Sequence, residues 1–122
     1  AQDRYPNGPF YQLIHMFQCL NSAGYEAFFL MEPDTWPVQA GWGQALLSLV
    51  QSKEEWWIKG SLWHTWYPAE YHLNGNALYR LQDNAFFVFL FHALQQVRKD
   101  PRLGFDMAIQ RYKIHLQHAW FL

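Results

Sequence analysis

Cysteine is almost missing from these 122 residues, and most of the signals that declare a function outright are missing with it. The single Cys19 forbids an internal disulfide, supplies no cysteine-based zinc site and leaves the redox compartment open. Charge is scarce too. Nine Lys and Arg against ten Asp and Glu give a formal net charge of -1, which argues against a general electrostatic attraction to nucleic acid or anionic lipid. The most apolar run, Ala85 to Leu94, is about ten residues long and contains His92, short of the roughly 20 that a bilayer requires, so no membrane span is expected. Gly-rich phosphate motifs, internal repeats, low-complexity tracts and linkers are absent. No initiator Met and no basic-then-apolar leader open the chain, which is therefore expected to be processed, trimmed or a piece of a larger protein.

What is present is apolar and aromatic. Half the chain is hydrophobic and a fifth aromatic, with seven Trp, enough for one core and a single domain over residues 1–122. Arg4 to Pro9 reads as turn chemistry, and order is expected from Phe10. Leu13, Phe17 and Leu20, widened by Met16, repeat at helical spacing until Asn21-Ser22-Ala23-Gly24 stops them. Cys19 reads as a small core residue on that helix. Ala27 to Met31 then reads as a strand buried on both faces, because such strands are near-continuously apolar.

The remaining elements follow from the same patterns. Trp42, Ala45, Leu46, Leu49 and Val50 form the stripe of a helix expected to pack back on the sheet. Trp56-Trp57-Ile58 reads as a second strand closed by a turn at Lys59-Gly60-Ser61. Leu62 to Tyr71 lacks clean periodicity and reads as an aromatic loop, and Asn74 or Asn76 is expected to cap a short helix within His72 to Tyr79. Asp83 or Asn84 caps a helix with Phe87, Leu90, Phe91, Leu94 and Val97 inward, ending at Arg98-Lys99-Asp100-Pro101. A last helix carries Phe105, Ala108, Ile109, Tyr112, Leu116, Ala119 and Trp120, and its apolar end is expected to dock or continue. The class is α/β or α+β, a small sheet with about four to five helices.

Chemistry concentrates where the first strand ends, at Glu32-Pro33-Asp34. In open α/β sheets ligands bind at that end, and on a strand residues i and i+2 share a face, so the two acids would converge. The plainer reading is a polar turn around Pro33. Paired carboxylates suit a hard cation such as Mn²⁺ or Mg²⁺, which takes one or two protein oxygens and leaves its other positions to water and substrate phosphates.

The apolar strand into Glu32-Pro33-Asp34, then Pro37, Gly41-Trp42, Trp57-Ile58-Lys59-Gly60-Ser61 and His72-Leu73-Asn74-Gly75-Asn76-Ala77-Leu78-Tyr79 resembles the second half of a GT-A-type nucleotide-sugar glycosyltransferase domain over roughly Phe10 to Tyr79. The resemblance implies part of that fold, metal-dependent transfer of a sugar from a nucleotide diphosphate to a hydroxyl acceptor, and Mn²⁺ or Mg²⁺ held by Asp34 and secondarily Glu32. It implies a sugar site lined by the His72 to Tyr79 segment, with His72, Asn74, Gly75 and Asn76 in it, and a contribution from Lys59 and Gly60. It also implies a Golgi-type lumen, and a nucleotide-binding first half lying before Tyr5. The usual motif has Asp where this chain has Glu32, which ranks Asp34 first.

Other residues are candidates on their own chemistry. Trp63, Trp66 and Tyr67 would stack on sugar rings or fill core. Asp106 would deprotonate the acceptor hydroxyl in an inverting transfer, or serve as a first-turn helix acid. His64 and His72 flank the aromatic loop. His92 reads as a core or boundary histidine, and His115 and His118, three apart on the last helix, would share a metal or form a solvated face with Arg111. The alternative class is a non-enzymatic α+β module, cytoplasmic, binding a partner protein or carbohydrate through the aromatic loop.

Overall fold

The computed structural model describes residues 7–64, 71–100, 103–104 and 107–109. The element order is α1 (Asn7–Ser22), β1 (Ala27–Leu30), α2 (Trp42–Val50), β2 (Ile58–His64), β3 (Tyr71–Arg80) and α3 (Asn84–Lys99). The three strands form one sheet in the order β1-β3-β2, and both pairings are antiparallel. Of the two classes expected, the α+β one describes the fold.

α1 starts at Asn7, ahead of the expected Phe10, with Pro9 in its first turn where no intrahelical N–H is needed. It stops where the sequence places the stop. Gly24 has φ +82°, the Gly24 N–H donates to Asn21 O at 3.1 Å and the Tyr25 N–H to Leu20 O at 3.2 Å. Those two bonds are the Schellman pair that a left-handed glycine permits. The chain is thereby turned straight into β1. Cys19 is exposed rather than core, because the buried stripe runs through Phe10, Leu13, Ile14 and Phe17 and leaves position 19 on the far side, with its Sγ 3.7 Å from His15 Nε2.

The segment expected to hold a short helix, His72 to Tyr79, is the interior of the central strand. Its period is two. Leu73, Ala77 and Tyr79 face a core shared with Ile58 and Phe28, while Asn74, Asn76 and Leu78 point to the other face. Likewise Lys59-Gly60-Ser61 is no turn but continues β2, and the expected aromatic loop gives up its first residues to that strand. Gly60 sits opposite Ala77, where an added Cβ would lie 2.8 Å from the Ala77 Cβ. A glycine is demanded there by packing.

α1 and α3 cover the core face. Asp83 is the N-cap of α3, its Oδ1 accepting from the Phe86 N–H at 2.9 Å and its Oδ2 from the Trp57 indole N–H at 3.0 Å. The buried stripe is Phe86, Phe89, Leu90, Ala93, Leu94 and Val97. Phe91 is exposed and Phe87 half-buried, so the stripe is rotated from the expected one toward Phe86. That ring stacks on Trp57 at 5.4 Å and meets Phe17 edge-on at 5.5 Å, fixing the helix phase. His92 lies on the exposed side of α3.

α2 lies over the opposite sheet face and buries none of its residues. It is not packed back on the sheet as expected. Among the described residues its polar tie to β2 is Lys59, 8% exposed, whose Nζ donates to Leu49 O at 3.0 Å and to Ser52 Oγ at 2.5 Å and lies 5.3 Å from the Trp56 ring centroid. A cation at a helix C-terminus is favoured by the carbonyls it meets there. No helix among the described residues is long and apolar enough to cross a membrane.

Candidate functional site

β1 ends at Leu30, so Glu32 and Asp34 lie beyond the strand in a turn rather than on one face of it. The Thr35 N–H donates to Glu32 O at 3.0 Å, closing a four-residue turn with Pro33 at its second position, where the fixed φ of proline belongs. The acids are therefore its first and third residues. Both are exposed.

The turn is fastened to the central strand by one side chain. Asn76 Oδ1 accepts the Glu32 backbone N–H at 2.7 Å, and Asn76 Nδ2 donates to Glu32 Oε2 at 3.1 Å and to Asn74 Oδ1 at 3.0 Å. Asn74 Oδ1 also accepts the Asn76 N–H at 2.9 Å. Of two asparagines on one strand face, Asn76 thus meets the acid turn 44 residues away in sequence and Asn74 braces Asn76. Gly75, between them, points to the buried face, where its carbonyl accepts the Tyr79 hydroxyl at 3.2 Å. The Asp34 carboxylate has no hydrogen-bond partner among the described residues, so it is open to a ligand.

Beside the turn are two cavities that share Phe29 and Leu46 as walls. One, of about 420 Å³, is lined by Met31, Trp36, Pro37 and Trp42. The other, of about 490 Å³, lies under α2 and is lined by Leu49, Lys59, Gly60, Ser61, Asn76 and Leu78. Mostly apolar clefts of this size with a few convergent polar groups are the usual form of a small-molecule site. Trp36 is 73% exposed on the rim. A third cavity, of about 390 Å³, has charged walls, among them Lys53, Glu55, Arg80 and Asp83.

Of the expected site residues, Glu32, Asn76 and Asn74 are joined by hydrogen bonds, Asp34 lies two residues further along the same turn, and Lys59 and Gly60 line the adjoining cavity. His72 and Trp63 are opposite one another where β2 and β3 pair, four residues along β3 from Asn76 and beyond the register shift between Gly60 and Leu62. His64 ends β2, and the side chains of His64, His72 and Trp63 lie outside the described residues, as do Trp66, Tyr67, Asp106, His115 and His118 in full. Phe29, Trp36 and Leu46 are not among the expected site residues, whereas Gly41-Trp42 belongs to the segments that carry the resemblance. The available signal was Trp36 beside Pro37, a large ring on a segment that cannot be helical.

The donors that a divalent cation of the kind the resemblance implies would take are the two carboxylates of the turn. Asp34 offers a free carboxylate and Glu32 keeps one oxygen unused by Asn76, a hard oxygen set that matches Mg²⁺ or Mn²⁺ bound through one or two carboxylates. No group of three or more His, Cys, Asp and Glu is clustered among the described residues. No family model, curated protein or solved structure matches the chain.

Proposed function

We propose that this chain carries the donor-sugar side of a metal-dependent glycosyltransferase, which moves a sugar from a nucleotide diphosphate to a hydroxyl acceptor. The observation that supports it best is the clamp of Asn76 on Glu32. It draws the two segments that carry the resemblance, the acid-x-acid turn and the Asn-Gly-Asn strand, into a single polar edge beside a cleft. Asp34, with Glu32 behind it, would hold Mn²⁺ or Mg²⁺, which when bound neutralises the charge of the departing diphosphate. Asn76 fixes the turn, and Asn74 offers amide hydrogens to sugar hydroxyls. Trp36 and Trp42 present indole faces to a ring or an apolar acceptor. Asp106 remains the proposed base.

Titration calorimetry of Mn²⁺ with a panel of nucleotide-diphosphate sugars tests the reading. Wild type is expected to bind one of them only with metal present, and Asp34→Ala to weaken that binding by about tenfold or more, as loss of a metal-supporting group does. Absence of metal-dependent binding in the folded wild type overturns it. The rival reading, a non-enzymatic interaction module, is favoured by the exposed Trp36, Val38, Trp42, Leu47 and Leu49. It predicts carbohydrate or protein binding that ignores metal and is lost in Trp36→Ala.

A further inference from the structure

β1 is one of the two edge strands of the sheet, and apart from its shortness it has none of the devices that protect an edge. Its four residues, Ala27 to Leu30, include no charge, proline or bulge, and all four are half-buried. The pairing shows which backbone groups are left over. The Leu81 N–H donates to Glu26 O at 2.8 Å, and the register sets Phe28 against Tyr79 and Leu30 against Ala77. Hydrogen-bonded pairs recur at every second residue in an antiparallel ladder, so the even-numbered residues bond to β3. Ala27 and Phe29 turn their N–H and C=O groups outward, and no backbone hydrogen bond reaches them from any other described element.

We infer that this edge pairs with a second copy of the chain, β1 against β1 antiparallel about a two-fold axis at Phe28, giving one continuous sheet of both subunits. The argument for a like partner is self-complementarity. Outward residues must face outward residues, and centring on Phe28 sets Ala27 opposite Phe29 of the other copy, each such pair exchanging both N–H···O=C bonds. The small side chain leaves room for the large one on the same face. One step further out, Tyr25 meets Met31, and these flanking residues are 58% and 45% exposed in the single chain. A thioether against an aromatic ring is a favourable contact. The nearest charge, Glu26, faces Leu30 rather than its own copy, so no like charges are opposed.

Sedimentation equilibrium of the whole chain, with amide hydrogen exchange, tests this. Wild type is expected to be a dimer in the micromolar range, with the Ala27 and Phe29 amides protected like those of Phe28 and Leu30 and losing that protection on dilution. Ala27→Pro deletes an N–H that points away from β3, so it should leave the circular dichroism native and weaken dimerisation on the order of tenfold or more. Wild type that stays monomeric, with fast exchange at Ala27 and Phe29, overturns the proposal and leaves the edge to a strand of another polypeptide. Dimers in which those two amides exchange fast overturn it as well, and that readout stands even where Ala27→Pro fails to fold.

Discussion

Gly60→Ala separates two explanations of the same residue, one in which the glycine lets a ligand approach and one in which it lets two strands approach. Gly60 and Ala77 face each other in a position whose hydrogen bonds all go elsewhere, since β3 bonds to β2 through its even residues, as the 2.9 Å bond from the Arg80 N–H to Trp57 O shows. Such pairs bring Cα atoms to about 4.5 Å, the closest spacing in an antiparallel sheet. An alanine Cβ at position 60 would lie 2.8 Å from the Ala77 Cβ and 3.3 Å from Leu73 Cδ1. Carbon atoms rest at about 3.5–4.0 Å, so roughly 0.7 Å or more must be found by moving backbone. Leu73 can rotate away. Ala77 cannot, because its Cβ has no rotamer and its strand is pinned between β1 and β2.

Overpacking of this kind costs about 1–3 kcal/mol, and the immovable partner places Gly60→Ala in the upper half, about 2–3 kcal/mol. For a domain of this length that is a fall in Tm of roughly 8–12 °C. Ala77→Gly alone loses a buried methyl, about 0.8 kcal/mol, and adds roughly 0.5–1 kcal/mol of backbone entropy. In the double variant the methyl has changed strands and the clash is gone. Urea titrations of the four proteins should therefore give a double variant more stable than the sum of the singles by about 2 kcal/mol, a coupling well above that of independent sites. A Gly60→Ala protein within about 0.5 kcal/mol of wild type, or strict additivity in the cycle, would refute the packing argument. If ligand binding then fell while stability held, the ligand-approach reading would replace it.

Asp83→Ala removes both the α3 cap and the acceptor of the Trp57 indole, and thermal melts should show a loss of about 2 kcal/mol. Asp83→Asn, which can still cap, should recover about half of that. Lys59→Met deletes the ties to Leu49 O and Ser52 Oγ while keeping the apolar stem, so the amides at the end of α2 should exchange faster while those of α3 are unchanged. Equal acceleration in both helices would mean that Lys59 serves the core and not the tether.

The elements that announced themselves in the sequence are those whose local signals agree with their tertiary setting. α1 has its stripe and its Gly24 stop, and α3 has its Asp83 cap and its Arg98-Lys99-Asp100 end. β3 was missed because Asn74, Gly75 and Asn76 are weak strand formers and strong turn formers. The deciding signal was period-two alternation, Leu73, Gly75, Ala77 and Tyr79 on one side against Asn74, Asn76 and Leu78 on the other. The stripe of α2 marks an amphipathic helix but not a packed one, because an apolar stripe says that something should be covered and not by what, and α2 buries none of its residues. The apolar pattern of β1 was read as that of a buried strand, whereas its place in this sheet is the edge. That discrepancy comes from the strand's surroundings, which no local pattern encodes.

The acid turn and the Asn-Gly-Asn segment were each singled out from sequence, but their division of labour is legible only in three dimensions. Asn76 spends its Oδ1 on the Glu32 N–H and both amide hydrogens on Glu32 and Asn74. A side-chain amide has two donors and one acceptor atom, so Asn76 is committed to holding the turn and has little left for a ligand. The Asp34 carboxylate and the Asn74 amide nitrogen have no partners among the described residues. They are the groups through which this edge can meet a ligand, and Asn76 acts through Glu32 as a positioning residue. On the proposed metal-dependent reading, replacing Asn76 should therefore loosen the turn and weaken metal-dependent binding indirectly, whereas replacing Asp34 should abolish that binding without disturbing the clamp.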